Sequence, residues 1–399
     1  MDLATFANLL SPAGQDALAA AGSLPLDEES FLSNLTQLQK AYPSALAKAA
    51  LETAALRARA QTKFTRAQAM YFTREALEQA SGEVIARYRA RRFAGMATAA
   101  DLGCGIGGDS LALAEQCQVA AVDVDPLRLA MAAENLAAYG RRHQASFTAG
   151  DVTQLSLAPA DAFFFDPARR VGGRRKFSVR DYVPPLAAVR RWLPQITAGA
   201  VKISPGVDLA ELAGYDCEVE FISERGDLKE CALWFGDFKS AGRRATLLSG
   251  GTVHSLLPDP PASAGADGVP PPGPPLAYLY EPDPAVLRAG LVTTLAARLG
   301  ARQLDPDIAY LTAPALQPTP FARAFTVEAA MPFQLKRLRQ ALRDGHVGQI
   351  TVKKRGSPLE PETLIRRLKL AGAEQRVIFL THVLGKAWVL IGQAVRGGE

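Results

Sequence analysis

The sequence predicts an α/β fold in which parallel strands end in glycine-rich or acidic turns and lead directly into helices. The first indication is the segment Asp101-Leu-Gly-Cys-Gly-Ile-Gly-Gly-Asp109, which lies between a short apolar run and a helix-like run. The second is the strand-like run 118–124, which leads into Asp125-Pro126 and another helical run. The third is the apolar run 163–165, which is followed by Asp166-Pro167. Strands that alternate with helices in this way are typical of a parallel sheet.

The glycine turn predicts a nucleotide-binding site. Four glycines of this segment tolerate positive φ and carry no Cβ, so the backbone can approach a ligand closely: Gly103, Gly105, Gly107 and Gly108. The helix that follows presents free N–H groups at its start. The pattern G-x-G-x-x-G with Asp123 about twenty residues on also fits a dinucleotide site. An NAD-dependent oxidoreductase would, however, need a substrate-site base or a hydride-transfer partner, and the sequence does not indicate one.

Acids follow each of the predicted strands. Asp101 lies two residues before the first glycine, where a carboxylate can meet a cationic group of a ligand. Asp123 is placed to accept hydrogen bonds from both hydroxyls of a ribose. Asp125 is expected to cap the next helix, with Pro126 at its first position. Asp151 follows a further short strand.

This succession of motifs resembles the class I S-adenosylmethionine (SAM)-dependent methyltransferases over about residues 62–238. The segments are most similar to the RNA-modifying branch that includes the cap trimethylguanosine synthases. The resemblance implies a Rossmann-like core with a seven-stranded sheet, and SAM as the cofactor. In this family, the residues matching the glycine turn hold the amino acid end of SAM, and those after the next two strands hold the ribose and adenine. The cofactor residues implied here are Asp101, Gly103, Gly105, Gly107, Asp123, Val124, Asp151 and Val152.

The same resemblance implies that Asp166 and Pro167 line the pocket for the methyl acceptor and are the catalytic residues. Base-amine methyltransferases carry Asp, Asn or Ser followed by Pro-Pro and an aromatic residue at this point. Here Ala168 and Arg169 replace the second proline and the aromatic residue. Both hydrogen-bond acceptors for an exocyclic amine are kept, and a guanidinium can stack on a base or bind a phosphate. The alternative is that Asp166-Pro167 only ends a strand and begins a turn.

Positive charge is concentrated in two regions, which indicates binding to RNA phosphates. The first follows the acceptor motif directly and contains no acid: Arg169, Arg170, Arg174, Arg175, Lys176 and Arg180. The second, 331–370, has ten Lys or Arg against three acids. It is expected to contain a helix over 332–344, a strand over 349–354 that ends in Lys353-Lys354-Arg355, and a helix over 364–370. A solvated cationic surface is the alternative in both regions.

The C-terminal residues resemble the THUMP-like domain that some bacterial methyltransferases of this type carry. The segments Phe325-Thr-Val-Glu-Ala-Ala-Met-Pro-Phe333 and Gln349-Ile-Thr-Val-Lys-Lys-Arg-Gly356 carry the likeness. True THUMP domains help to position structured RNA, and they usually precede the catalytic domain. Here the order is reversed. The resemblance implies a small α/β domain that contacts RNA through Lys353, Lys354 and Arg355.

The length of 399 residues is expected to comprise two or three domains. We expect an N-terminal helical region (1–92), with one helix running over 64–92, and the methyltransferase domain (93–250). A Pro/Gly-rich linker (251–275), with no Lys or Arg between Pro258 and Pro275, would lead to the C-terminal domain (276–399).

Composition excludes several other classes. The four cysteines have no C-x-x-C spacing and the four histidines are scattered, so no metal site and no covalent cysteine catalysis is expected. No signal peptide or membrane-spanning run is indicated, and a reducing cytoplasm fits the cysteine usage. The sequence therefore predicts a cytoplasmic SAM-dependent methyltransferase (class 2.1.1) that acts on a base nitrogen of rRNA or tRNA. The alternatives are a small-molecule or protein methyltransferase, and an RNA-binding protein that senses SAM without turnover.

Overall fold

The computed structural model describes residues 1–157, 160–171, 174–175, 178–258 and 270–395. Contacts divide the chain into two compact units. The first consists of Met1–Cys217 and Ala232–Ser240, and the second of Glu218–Cys231 and Ala241–Glu399. The chain therefore leaves the first unit, returns to it for nine residues, and leaves it again.

The first unit begins with helices: α1 (Leu3–Leu10), α2 (Pro12–Gly22), α3 (Phe31–Leu38), α4 (Ser44–Ala60), α5 (Arg74–Gln79) and α6 (Glu83–Ala90). Asp2 and Ser11 cap α1 and α2 with their side chains. The single helix predicted over 64–92 is wrong. Thr73 caps α5 by accepting a hydrogen bond from the Ala76 N–H, and extended backbone at Gly82 separates α5 from α6. These local capping signals interrupt a sequence whose apolar spacing alone favours one long helix.

An α/β core follows, as predicted. Its elements are β1 (Thr98–Leu102), α7 (Gly108–Leu113), β2 (Gln118–Asp123), α8 (Pro126–Ala138), β3 (Ala145–Ala149), β4 (Ala162–Phe165), β5 (Arg170–Val171), β6 (Arg174–Arg175), α9 (Val189–Trp192) and β7 (Ala198–Ile203). Five of these strands pair in parallel in the order β3-β2-β1-β4-β7, and β5 forms a short antiparallel ladder with β6. Strand order reverses at β1, which pairs with β2 on one side and β4 on the other. In open parallel sheets, ligands bind beyond the carboxyl ends of the strands at such a reversal.

The second unit contains two sets of strands. The first set is β8 (Cys217–Glu224), β9 (Asp227–Gly236), β10 (Arg243–Ser249) and β11 (Thr252–Leu256). Cys217 and Ala232–Gly236 of these strands belong to the first unit. Within the second unit, β10 pairs with β8 in parallel and with β11 in antiparallel.

The second set forms a seven-stranded sheet with helices. Its elements are β12 (Tyr278–Pro282), α10 (Pro284–Ala289), α11 (Val292–Arg298), β13 (Arg302–Asp305), β14 (Ile308–Ala313), β15 (Ala322–Pro332), α12 (Leu335–Asp344), β16 (Val347–Lys354), α13 (Pro361–Leu368), β17 (Glu374–Val383) and β18 (Lys386–Ala394). The strand order is β13-β14-β12-β15-β18-β17-β16, and only the β16–β17 pair is parallel. The predicted C-terminal α/β domain is thus confirmed.

Helices α12 and α13 share one apolar core with the end of this sheet. Leu338 and Leu342 of α12 and Leu364 and Leu368 of α13 are fully buried in a cluster with residues of β16, β17 and β18. The leucine spacing that predicts a helix over 332–344 therefore identifies the buried side of α12 correctly. Since both helices bury their leucines, their charged residues are left for the solvent.

Candidate active site

A cavity of about 430 Å³ lies at the carboxyl ends of the parallel strands in the first unit. Most of the residues predicted to hold a ligand or a methyl acceptor line this cavity: Gly103, Gly105, Asp123, Val124, Asp151, Val152, Asp166, Pro167 and Arg169. Ala76, Gln79 and Ala80, at and just after α5, form a further part of the wall. The volume of the cavity is within the range usual for pockets that bury a small molecule.

The glycine turn brings backbone to the cavity surface. Gly103, Gly105 and Gly107 have φ values of +78°, +55° and +79°. A Cβ on Gly103 would lie 3.1 Å from the carbonyl oxygen of Asp166, so the turn and the acceptor motif approach each other closely. Gly107 does not line the cavity. A Cβ there would lie 3.0 Å from Leu136 Cδ1 on α8, so this glycine permits helix packing.

Asp123 and Asp151 occupy two further positions on the cavity wall. Asp123 accepts the Gly105 N–H through Oδ2 at 2.8 Å and the Asp125 N–H through Oδ1 at 2.9 Å. These bonds fix the carboxylate at the end of β2, where each oxygen keeps a further lone pair for a ligand. Asp151 accepts two hydrogen bonds from Thr153, which hold the pKa of its carboxyl below the ordinary value of 3.8. Asp125 caps α8 as predicted.

Asp101 is placed differently from the other predicted cofactor residues. Its side chain is buried on β1, it accepts a hydrogen bond from the Ser110 hydroxyl, and it is not among the residues lining the cavity. Burial, together with the neighbouring carboxylate of Asp109, raises the pKa of Asp101 to about 8. Asp101 is therefore largely uncharged at neutral pH.

Asp109, to which the sequence analysis gives no role, does line the cavity. It forms an ion pair with Arg89 of α6, whose side chain is 2% exposed. Arg89 also donates to Ser81 at 2.9 Å and lies over the ring of Phe164 at 4.8 Å. The acid at the end of the glycine turn was visible in the sequence, but its partner is twenty residues away in another helix and carries no motif.

Asp166 has a partner that the sequence analysis also missed. Lys202 of β7 donates to Asp166 Oδ2 at 2.5 Å. The parallel pairing of β4 with β7, in which Phe165 is opposite Val201, brings the next residue of each strand side by side. The available signal was a lysine inside the apolar run Ala198–Ile203, every residue of which is buried. A charged residue in a buried strand needs a partner.

The basic run after the acceptor motif is only partly described. Arg169 lines the cavity. Arg170, Arg174 and Arg175 belong to β5 and β6, and only their backbone is described. Lys176 lies outside the described residues.

Charge is unevenly distributed over the cavity wall. Among the residues that the structure describes there, Asp109, Asp123, Asp151 and Asp166 line it together with two cations, Arg128 and Arg169. Lys202 and Arg89 are not on the wall, but each is paired with a carboxylate that is. An excess of carboxylates of this kind favours a ligand with positive charge.

The strand-end cations of the second unit are held in ion pairs. Lys353 pairs with Glu281 of β12, and Lys354 pairs with Glu360 at 2.5 Å. Arg355 lies 3.9 Å from Glu281 and over the ring of Tyr310 at 4.9 Å. The structure thus places the three residues predicted to bind RNA within a charged cluster of the protein itself.

The part of the chain that the structure describes holds no metal-ligand cluster, no disulfide and no membrane-spanning helix. No group of three or more His, Cys, Asp or Glu is placed there to bind a metal ion. All four cysteines are free thiols. No helix among the described residues has the length and apolar character needed to cross a membrane.

Three family models match the sequence. A methyltransferase domain model matches residues 99–167, which cover the glycine turn, the cavity acids and the Asp166-Pro167 motif. A THUMP-like domain model matches residues 322–394, and a model of a domain of unknown function matches residues 2–60.

The chain is 39% identical over 319 residues to an uncharacterized S-adenosylmethionine-dependent methyltransferase of Mycobacterium tuberculosis, found in strains CDC 1551 and H37Rv. The match covers 78% of this chain and 84% of that protein. The crystal structure of a candidate methyltransferase from Porphyromonas gingivalis W83 superposes with a TM-score of 0.76 at 23% identity. The superposition covers 93% of this chain and 99% of the Porphyromonas gingivalis chain, so the two share a fold over almost their whole lengths.

Proposed function

This chain belongs to the S-adenosylmethionine-dependent methyltransferases, and from that premise we propose that it methylates RNA at a base nitrogen held by Asp166 and Pro167. The observation that carries the RNA assignment is an unpaired basic surface on α12 and α13 in the THUMP-like region. The Asp166-Pro167 motif and its basic continuation from Arg169 support the same assignment in the first unit.

The cavity fits the cofactor of this family. SAM carries a sulfonium and an ammonium, and the wall presents more carboxylates than guanidinium groups. We infer that the backbone of Gly103 and Gly105 lies against its amino acid end. Asp123 would accept from the ribose hydroxyls, and Asp151 from the adenine amino group, with Val124 and Val152 beside the ring.

Two carboxylates are candidates for the partner of the SAM ammonium. Asp101 was predicted to meet it directly, but this residue is buried behind the wall, whereas Asp109 lies on the wall. We therefore propose that Asp109 faces the ammonium and that Asp101 supports the glycine turn through Ser110.

Asp166 and Pro167 would orient the acceptor. SAM, when bound, supplies a methyl group on a sulfonium: the N–C bond forms as the S–C bond breaks and its electron pair stays on sulfur. The carboxylate of Asp166 and the carbonyl of Pro167 accept N–H groups, so together they direct the nitrogen lone pair toward that methyl group. The nitrogen becomes positive as the bond forms, and Asp166 stabilises this charge before the proton leaves.

The basic surface, defined here as Lys336, Arg337, Arg343, Arg366, Arg367 and Lys369, is solvent-exposed. None of the six forms an ion pair with another described residue, unlike Lys353, Lys354 and Arg355. Arg339 joins the two helices by donating to the carbonyl oxygen of Arg367 at 2.5 Å. Exposed cations that no carboxylate of the protein neutralises are suited to a phosphate backbone. We therefore place the main RNA contact of the second unit on this surface rather than at the end of β16.

The test is methyl transfer from labelled SAM into total RNA of cells that lack the protein, with and without RNase, followed by nucleoside analysis. Label in RNase-sensitive material is the expected result, and the labelled nucleoside identifies the atom. Label confined to protein or to small molecules would refute the RNA assignment. SAM binding without any transfer would instead favour a sensor.

The basic surface has its own test. The double variant Arg366→Gln/Arg367→Gln should weaken binding to the labelled RNA and reduce the slope of log affinity against log salt by about 1.4, or about 0.7 per lost phosphate contact. Lys40→Gln/Arg59→Gln, which removes two exposed cations from the N-terminal helical region, is the matched control and should leave the slope unchanged. Equal slopes for the two double variants would show that the surface is only solvated.

A further inference from the structure

Lys202 is a buried lysine in the middle of an apolar strand. Its side chain is 4% exposed, whereas the Asp166 side chain is 22% exposed and reaches the cavity. The Lys202 ammonium donates to Asp166 Oδ2 at 2.5 Å and to the carbonyl oxygen of Gln79 at 3.3 Å. Gln79 is the last residue of α5 and also lines the cavity. One cation therefore contacts two different parts of the cavity wall from behind.

An apolar residue would suit this position in β7 better on packing grounds alone. The neighbours of Lys202 along the strand, Val201 and Ile203, are fully buried. Removing an ammonium from water is unfavourable unless a partner compensates, so a lysine here depends on its ion pair. The pair lies at the acceptor side of the cavity, next to Pro167, and this location indicates more than a structural role.

The surroundings of Asp166 explain why a cation is needed. The carboxylates of Asp109, Asp123 and Asp166 all lie close enough to Asp101 to raise its pKa, so three negative charges meet at this end of the sheet. The only ion pair formed by Asp109 among the described residues is with Arg89. Lys202 offsets the charge that Asp166 adds to this group and occupies one of its carboxylate oxygens. The other oxygen has no hydrogen-bond partner among the described residues and is left for the acceptor.

We propose that Lys202 is a positioning residue for methyl transfer: it fixes the orientation of Asp166 against the acceptor nitrogen and ties it to Gln79 at the end of α5. The inference rests on the proposed function, because it gives Asp166 its role at the acceptor. Lys202 does not line the cavity, so it acts through Asp166 and Gln79 and not by touching the substrate. It thereby joins the cavity wall of the N-terminal region to the acceptor motif of the α/β core.

The test is a double-mutant cycle with Lys202→Met and Asp166→Asn, using the full-length protein and labelled SAM with total cell extract as acceptor. Lys202→Met should lower kcat about a hundredfold, because a small misplacement of a positioned group has effects of that size. Its KM for the acceptor and its Kd for SAM should change much less. The double variant should lose no more turnover than Asp166→Asn alone, since the lysine acts through the aspartate.

Further variants separate positioning from folding. Lys202→Arg, which keeps the charge, should recover part of the lost turnover. The double variant removes both charges of the pair and leaves neither partner unpaired, so its turnover compared with that of Asp166→Asn still tests the coupling if Lys202→Met folds poorly. Arg87→Met breaks two ion pairs of α6, with Glu83 and Glu115, and should leave turnover unchanged.

The outcomes distinguish the two proposals. Independent, multiplicative losses in the cycle, or full turnover in Lys202→Met, would overturn the positioning role while leaving RNA methylation intact. Label that enters only protein or small molecules would refute RNA as the substrate, and the same cycle measured on that acceptor would still decide the role of Lys202. A wild-type protein that labels no fraction would overturn both.

Discussion

Replacing Asp101 with asparagine should make the protein increasingly more stable than the wild type as pH rises. In the folded protein the pKa of Asp101 is about 8, against an ordinary value of 3.8. Below about pH 4 the carboxyl is protonated in both the folded and the unfolded states. Between these two values the folded state keeps a proton that the unfolded state has lost. The stability that this proton contributes is therefore fully present at low pH and is lost progressively as pH rises toward 8.

The size of this effect follows from the shift. Each pKa unit corresponds to about 1.4 kcal/mol, so Asp101 alone would remove roughly 6 kcal/mol of unfolding free energy between pH 4 and pH 8. Asparagine has nearly the same shape, accepts the Ser110 hydroxyl and cannot ionise. We expect Asp101→Asn to be more stable than the wild type by about 1.5 kcal/mol at pH 5, and by several kcal/mol at pH 9.

The assay is urea unfolding at one-unit steps from pH 5 to pH 9, followed by tryptophan fluorescence and circular dichroism. Other carboxylates and histidines titrate in both proteins, so the difference between the two curves isolates Asp101. A difference that grows with pH and levels off above about pH 8 is the expected result. Parallel curves over the whole range would refute the reasoning, because they would mean that Asp101 is ionised in the folded protein.

Three further predictions concern the glycine turn and the residues around it. Gly107→Ala would place a side chain on left-handed backbone and against α8, so urea titrations should show the unfolding free energy lowered by about 2 kcal/mol. A loss no larger than that of an alanine substitution at an exposed site would contradict the packing argument. Asp123→Ala removes the acceptor of the Gly105 N–H, and calorimetry should show SAM affinity reduced at least about tenfold, whereas unchanged affinity would separate Asp123 from the cofactor. Arg89→Met leaves the carboxylate of Asp109 in the cavity wall without its cation and should destabilise the protein by about 3 kcal/mol. A variant that melts like the wild type would contradict this.

The sequence was sufficient for features that depend on neighbouring residues. The glycine turn, the acids at the strand ends and the cap at Asp125 are all encoded within a few positions, and the structure brings most of them to one cavity. The leucine spacing of α12 likewise identified its buried side. Such patterns are local, so they can be recognised without knowledge of the tertiary structure.

Contacts between residues that are far apart in the sequence could not be predicted in the same way. Lys202 is next to Asp166 only because β4 and β7 pair in parallel in one particular register. The sequence does not show that Lys353 is paired, because its partner Glu281 lies 72 residues earlier, in β12. The predicted helix over 64–92 was wrong for the opposite reason, since short-range caps at Thr73 and Gly82 outweigh long-range apolar spacing.

Cys104 gives this protein an internal chemical reporter. It lies within the glycine turn on the cavity wall, is 7% exposed, and burial raises the pKa of its thiol well above the ordinary value of 9.0. Alkylation of Cys104 therefore requires a transient opening of the turn, whereas the less buried Cys117 provides a reference rate in the same molecule. The ratio of the two rates would measure how often the nucleotide turn opens, and a ligand that closes over Cys104 would lower that ratio without any need to observe methyl transfer.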